Sequence, residues 1–216
     1  MLKDLRLFYS EFRRNFITTG AIVPSSPLLA KAMIFPLKQR QAEPIRVLEV
    51  GAGTGAVTQH LLKELRTGDT LDIYELNPRF FLVLRENLQM TEYVNLGIQC
   101  TLHNDDVRSL PDNSLFHFII SGLPLNNFEP QIVEEFLEIF LNHLSPGGIL
   151  AYFEYIGTRE FQSRIVKGPE RERLVRVGIA VKTFLQKYQY DSNHVWWNLP
   201  PAKARYCRKE AGQIQS

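Results

Sequence analysis

Glu49-Val50-Gly51-Ala52-Gly53-Thr54-Gly55 places an acid and alternating glycines directly after the apolar pair Val47-Leu48. Glycine has no Cβ and reaches positive φ, so such a loop lets backbone amides approach a ligand closely. A second acid, Glu75, closes a second apolar run, Thr70-Leu71-Asp72-Ile73-Tyr74. Its distance from the loop is roughly the ~20 residues at which a carboxylate grips a ribose in nucleotide-binding βαβ units. Strand, tight loop, helix, strand and terminal acid together point to an adenosine-containing cofactor.

The glycine spacing alone does not choose that cofactor. Gly51-Ala52-Gly53-Thr54-Gly55-Ala56 also satisfies the dinucleotide pattern G-x-G-x-x-G/A. Glu49 argues the other way, because a carboxylate at the strand end suits a cationic ligand and repels a pyrophosphate. Leu144-Ser145-Pro146-Gly147-Gly148 then precedes another apolar run, Ile149 to Phe153. Together these features resemble the class I S-adenosylmethionine-dependent methyltransferases. The resemblance implies an α/β, Rossmann-like domain: a mostly parallel seven-stranded sheet, helices on both faces, and an antiparallel edge. It also implies S-adenosyl-L-methionine as cofactor, with backbone at Gly51, Ala52, Gly53 and Gly55 lining its methionine end. Glu49 would hold the amino group, Glu75 the ribose hydroxyls, and Leu76 would pack on the adenine. Asp106, with Asp105 beside it, follows the third strand where related enzymes often carry an acid for the adenine amino group. Ser121 closes the fourth strand beside the cofactor. A helix N-cap or turn is the other reading for the two aspartates.

The elements that must position these groups alternate. Ser26 caps a helix that opens at Pro27 and runs to about Met33. Strands are expected after Glu43-Pro44, over 70–74, over 97–102, over 115–121 and over 149–155, with helices after Gly55, from about Pro78, and over 129–144. The apolar fourth strand, Leu115-Phe116-His117-Phe118-Ile119-Ile120-Ser121, reads as covered on both faces. A basic helical stretch from about Arg159 to Tyr188 leads to two late strands, near His194 to Asn198 and Arg205 to Arg208. Trp196-Trp197 is expected on the first of these, packed against a helix on one face. Alternation predicts right-handed crossovers, and the two consecutive late strands predict the antiparallel edge. The chain divides into an N-terminal segment, 1–38, and a cofactor domain, 39–216.

On the acceptor side, Ser121-Gly122-Leu123-Pro124-Leu125 stands where adenine amino-methyltransferases present Asn or Asp, then Pro, then an aromatic residue. Here Gly122 replaces the acceptor and Leu125 the stacking ring, which disfavours an adenine target, although Phe128 is near enough to stack. Phe12-x-x-x-Phe16-x-x-Thr19-Gly20-Ala21-Ile22-x-Pro24-Ser25-Ser26, the Ser121-to-Leu125 segment and Asn198-Leu199-Pro200-Pro201-Ala202 resemble the bacterial phospholipid N-methyltransferases, over essentially the whole chain. That family is similar in fold to rRNA adenine dimethylases. Membership implies methyl transfer to the amine of phosphatidylethanolamine, in one or more rounds, or of an ornithine lipid. Two departures bear on head-group choice: Asn104 where a glycine often precedes the acid, and Asn126-Asn127 where a more apolar pair is common. Tyr9, Tyr152 and Glu154 are the candidates for contacting or deprotonating the amine. Both tyrosines also fit as amphipathic core residues.

Residues 1–16 read as an amphipathic helix, with Leu2, Leu5, Phe8, Tyr9, Phe12 and Phe16 on one face and Lys3, Arg6, Arg13 and Arg14 available to an anionic membrane surface. Its alternative is packing on its own domain. A second cationic region includes Arg159, Arg164, Lys167, Arg171, Arg173 and Arg176. Interruption by Glu160, Glu170 and Glu172 makes a solvated helix face its default reading. The 216 residues carry a net charge of +2, with 44% hydrophobic and 22% charged residues, which fits a globular domain and gives no argument for nucleic acid. Cys100 and Cys207 form no CxxC pair, and the histidines have no ligand spacing, so neither disulfide nor metal is expected. No apolar run approaches the ~20 residues that span a bilayer, and Met1-Leu2-Lys3-Asp4-Leu5 is charged where a signal peptide needs an apolar core. The expectation is a cytoplasmic enzyme, peripheral at the inner membrane face. Its rivals are an RNA adenine N6-methyltransferase and a membrane-associated cofactor module without turnover.

Overall fold

A computed structural model describes residues 26–41, 43–89, 97–157 and 166–210. Tyr9, the opening helix, Arg159 and Arg164 lie outside the described residues. Among the described residues five α-helices and seven strands follow in the order α1 Pro27–Met33, β1 Arg46–Val50, α2 Thr58–Glu64, β2 Thr70–Tyr74, α3 Pro78–Gln89, β3 Gln99–His103, β4 Phe116–Ser121, α4 Pro130–His143, β5 Leu144–Tyr155, α5 Pro169–Tyr188, β6 Gln189–Val195 and β7 Ala202–Arg208. They form one seven-stranded sheet in the order β3-β2-β1-β4-β5-β7-β6. The first five strands of that order are parallel, and β7 runs antiparallel between β5 and β6. The expected architecture, including its antiparallel edge, is the observed one.

Burial on both faces follows from the strand sequences. Leu48, Val50, Ile119, Leu150 and Tyr152 point to one face, where they meet Val133, Phe136 and Phe140 of α4 and Val177 and Val181 of α5. Val47, Ile73, Ile120, Ala151 and Tyr206 point to the other, against Leu29 and Met33 of α1 and Leu61 and Leu62 of α2. Period-two alternation between two apolar layers is why these strands read as nearly continuous hydrophobic runs. Helix α1 starts as its sequence predicts, with the Ser26 hydroxyl accepting from Leu29 N at 3.2 Å and Pro27 at the first position. It is fixed to the far edge of the sheet by the Tyr206 hydroxyl, which donates to Ala32 O at 2.6 Å.

Beyond the strand ends the sheet ladder continues for one more bond. Gly51 N donates to Tyr74 O at 2.8 Å, Glu75 N to His103 O at 3.0 Å, and Gly122 N to Val50 O at 2.8 Å. The loops after β1, β2 and β4 therefore leave the sheet from fixed backbone positions.

Two boundaries depart from the sequence expectation. Strand β5 begins at Leu144, and Ser145 to Gly148 form an irregularity within it: Phe116 pairs with Leu144, but Phe118 pairs with Ile149. Gly147, at φ 75°, makes the bend, and its amide donates to Lys209 O at 2.9 Å, so β7 shares in closing it. The larger correction concerns β6, which spans Gln189–Val195 rather than His194 to Asn198. As an edge strand it needs no apolar run, so Gln-Tyr-Asp-Ser-Asn-His carries little signal. Trp196 and Trp197 consequently leave the sheet altogether. They are 64% and 90% exposed, and neither packs under a helix as expected.

Candidate functional site

The C-terminal ends of β1, β2 and β4 bring the sequence-predicted cofactor residues together. Glu75 is fully buried. Its Oε2 accepts from Gly53 N at 2.7 Å and its Oε1 from Asn77 N at 2.8 Å. The acid after β2 thus braces the glycine loop after β1. Asn104 holds the same turn from β3, its side-chain amide donating to Glu75 O at 2.8 Å and to Leu76 O at 3.4 Å. The departure noted at Asn104 is therefore a clamp on the segment that carries Glu75 and Leu76.

The loop itself is glycine-dependent. Gly51, Gly53 and Gly55 have φ of 70°, 62° and 94°, the left-handed region that other residues adopt only with strain. Glu49 lies beneath it on β1, 2% exposed. Burial pushes its carboxyl up to about 8, with the nearby polar groups of Thr58 opposing the shift and the charge of Glu75 adding to it. Glu49 Oε2 and Thr58 Oγ1 are buried without a hydrogen-bond partner among the described residues. A buried carboxylate oxygen with no donor is a position that a cationic ligand group satisfies. The residues present therefore fit a ligand that carries both a positive charge and a ribose.

Next to the loop, Leu76, Asp105, Asp106, Val107 and Phe128 line a narrow slit. Asp105 is exposed at its rim and accepts from Asp106 N at 2.8 Å. Asp106 is 5% exposed and caps the 3-10 turn Val107–Ser109, accepting from Arg108 N at 3.0 Å. Arg108 also grips it through Nε at 3.0 Å and Nη2 at 2.6 Å. The capping reading of Asp106 is thus realised at the slit wall. Arg108 was not singled out in the sequence, and nothing local marks it as the partner.

Ser121 is fully buried, and its hydroxyl accepts from Leu123 N at 3.3 Å. Gly122 backs onto the glycine loop so tightly that a Cβ there would lie 2.6 Å from Gly51 O. The absent Asn or Asp at this position has a steric cause. Further along, a row of paired residues runs Val50, Ser121, Tyr152, Arg205 across β1, β4, β5 and β7. Tyr152 is 1% exposed and part of the core, yet its hydroxyl donates to Glu154 Oε1 at 3.3 Å. Glu154 Oε2 accepts from Arg205 Nη2 at 3.1 Å. Glu154, Lys203, Arg205 and His194 share a cavity of about 820 Å³ with Leu174 and Val181 of α5. The glycine loop does not line it; Glu154 stands on β5 two residues beyond Tyr152, which pairs with Ser121 at the cofactor end of β4. Arg173, read in the sequence as part of a cationic cluster, is structural: it pairs with Glu170 and donates to Asn126 O at 3.1 Å and Phe128 O at 2.7 Å. Among the described residues no group of acids, histidines or cysteines could hold a metal, and no helix is long and apolar enough to cross a membrane.

Comparison with known proteins agrees with this geometry. A methyltransferase-domain family model matches residues 47–148, from β1 into the β5 irregularity. The chain is similar to an ornithine lipid N-methyltransferase of Singulisphaera acidiphila, 24% identical over 210 residues, spanning 96% of this chain and 97% of that one. The N-methyltransferase NodS of Bradyrhizobium japonicum, solved with S-adenosyl-L-homocysteine, superposes with a TM-score of 0.59 at 15% identity, over 85% of this chain and 88% of that one. The magnesium protoporphyrin IX methyltransferase of Synechocystis, solved with bound S-adenosylmethionine, gives a TM-score of 0.62 at 10% identity, over 86% and 80%. At these identities the two structures speak for the fold. The chain carries a methyltransferase domain with the class I Rossmann-like fold, and its cofactor is S-adenosyl-L-methionine.

Proposed function

We propose that this enzyme methylates the amine of a membrane lipid, phosphatidylethanolamine or an ornithine lipid, in one or more rounds at an anionic membrane surface. The observation that carries the reading is the similarity to an ornithine lipid N-methyltransferase over nearly the full length of both chains. Gly122 adds support, since the position that would read a flipped adenine has no room for a side chain. The cavity beside the β5 end adds more. Both head groups join an amine to an anion, a phosphodiester in one and a carboxylate in the other. Glu154 suits the amine, Lys203 and Arg205 suit the anion, and the α5 residues Leu174 and Val181 suit the chain that follows.

The bound cofactor supplies an electrophilic methyl group on a sulfonium, so the protein's task is positioning and proton removal. Glu49 and Glu75 would hold the cofactor's cationic and ribose ends. Before it can act as a nucleophile the acceptor amine must be neutral. Glu154 would take its proton, directly or through the Tyr152 hydroxyl, which donates to it, with Arg205 orienting the carboxylate. Tyr9 remains a further candidate contact for the amine.

Kinetics with dispersed short-chain phosphatidylethanolamine test the assignment. Glu154→Gln is expected to lower kcat by about 100-fold or more, the range of general-base losses, and Tyr152→Phe to lower it as well, with cofactor affinity unchanged. Wild-type kcat in both variants would remove the proton role from this pair.

A further inference from the structure

The connection between β6 and β7 is the most apolar exposed feature among the described residues. Trp197 is 90% exposed, Leu199 80% and Trp196 64%. These three side chains fall within Val195-Trp196-Trp197-Asn198-Leu199-Pro200-Pro201, which contains no charged residue. Its flanks are His194, stacked on Trp196 with ring centroids 5.4 Å apart, and Lys203.

The tip is built to hold this exposure. Asn198 is 6% exposed; its amide donates to Val195 O at 3.3 Å and its side chain to Pro200 O at 2.6 Å. Ile156 N donates to Pro201 O at 2.8 Å, fastening the tip to the chain leaving β5. Because β5 runs parallel to β1 and β4, the tip projects from the sheet end that carries the glycine loop and the Glu154 cavity. Two indoles and a leucine, acid-free and flanked by basic groups, match the interfacial zone of a bilayer, where tryptophan places its ring among the head groups.

We propose that the β6–β7 tip inserts Trp196, Trp197 and Leu199 into the surface of a phospholipid bilayer and seats the catalytic end of the sheet against it. The purpose of this contact rests on the lipid-acceptor reading, but its test does not. Trp196 and Trp197 are the chain's two tryptophans, so indole emission reports on the tip alone.

The full chain, without cofactor, is mixed with vesicles of phosphatidylethanolamine and phosphatidylglycerol. The expected result is a blue shift of emission and quenching by brominated acyl chains. Trp197→Ser and Leu199→Ser are expected to weaken vesicle partitioning by about tenfold each, with thermal midpoint and cofactor affinity unchanged. Emission that stays water-like while the protein sediments with vesicles overturns the proposal and leaves binding to another surface. Emission already blue-shifted before lipid is added also overturns it: independence of dilution would assign the cover to this chain, and loss on dilution to a second copy. Insertion without methyl transfer to lipid would contradict the proposed acceptor alone, and lipid methylation with unperturbed tryptophans would contradict the tip alone.

Discussion

Gly122 and Gly51 meet backbone to backbone, and a Cβ on Gly122 would stand 2.6 Å from the Gly51 carbonyl oxygen. The loop after β4 therefore serves as a wall for the cofactor loop after β1. Gly122→Ala is expected to destabilise the fold by about 1–3 kcal/mol and to weaken cofactor binding by about tenfold. Isothermal titration and thermal melts measure the two effects. Gly122→Asn, which restores the acceptor type of adenine enzymes, is expected to create no RNA methylation. An active RNA methylase from that change would contradict the steric account.

Glu75 braces the glycine loop through Gly53 N, and the proposed reading gives it the ribose hydroxyls as well. Glu75→Ala leaves the amides of Gly53 and Asn77 without their acceptors and would delete the proposed ribose contact. A rise in cofactor dissociation constant of about 100-fold, equal to about 2.7 kcal/mol, is expected. Affinity within twofold of wild type would refute the ribose role.

Glu49 should make cofactor binding depend on pH. Burial holds its pKa at about 8, well above the ordinary carboxylate value of 4.5. The folded state therefore holds a proton that the unfolded state has lost, and stability falls as pH rises between those values. A cationic ligand favours the ionised carboxylate, so binding expels that proton below about pH 8. Affinity should then rise with pH, by at most about tenfold per unit, and level off above 8. Glu49→Gln should lose this component and melt higher than wild type at pH 8. Titration in two buffers of different ionisation enthalpy, compared between wild type and variant, separates Glu49 from the cofactor's own amino group. Equal proton release by both proteins would place the cation elsewhere.

At the opposite end of the sheet, Asp69 is 1% exposed and accepts from Ile45 N at 2.9 Å, Arg66 N at 2.6 Å and Arg40 Nη1 at 2.6 Å. Asp69→Ala strands a buried guanidinium and is expected to cost about 3–5 kcal/mol. Cofactor affinity of the folded fraction should not change. A chemical denaturation series with parallel binding measurements checks both.

What the sequence made legible was local. Ser26 before Pro27, the glycines after Val50 and the acid after Tyr74 each act within a few residues of where they stand. Each was found where its spacing placed it. What stayed hidden depends on register across the sheet. Arg205 meets Glu154 because β7 is antiparallel to β5, and Arg40 meets Asp69 across the β1–β2 edge. Strand β6 hid because an edge strand tolerates polar residues, and with it went the placement of Trp196 and Trp197. Asp106 could be read either as a ligand group or as a cap, and only the position of Arg108 revealed that its carboxylate holds a turn.

The acceptor is the central claim, and one assay addresses it directly. Purified protein is incubated with methyl-labelled S-adenosylmethionine and vesicles containing phosphatidylethanolamine, its mono- and dimethyl forms and ornithine lipid, beside a parallel reaction with unmodified rRNA. Label in a lipid head group is the predicted result, and the labelled species names the acceptor. Label confined to RNA, with every lipid unmarked, would contradict the reading of Gly122 and of the Glu154 cavity together.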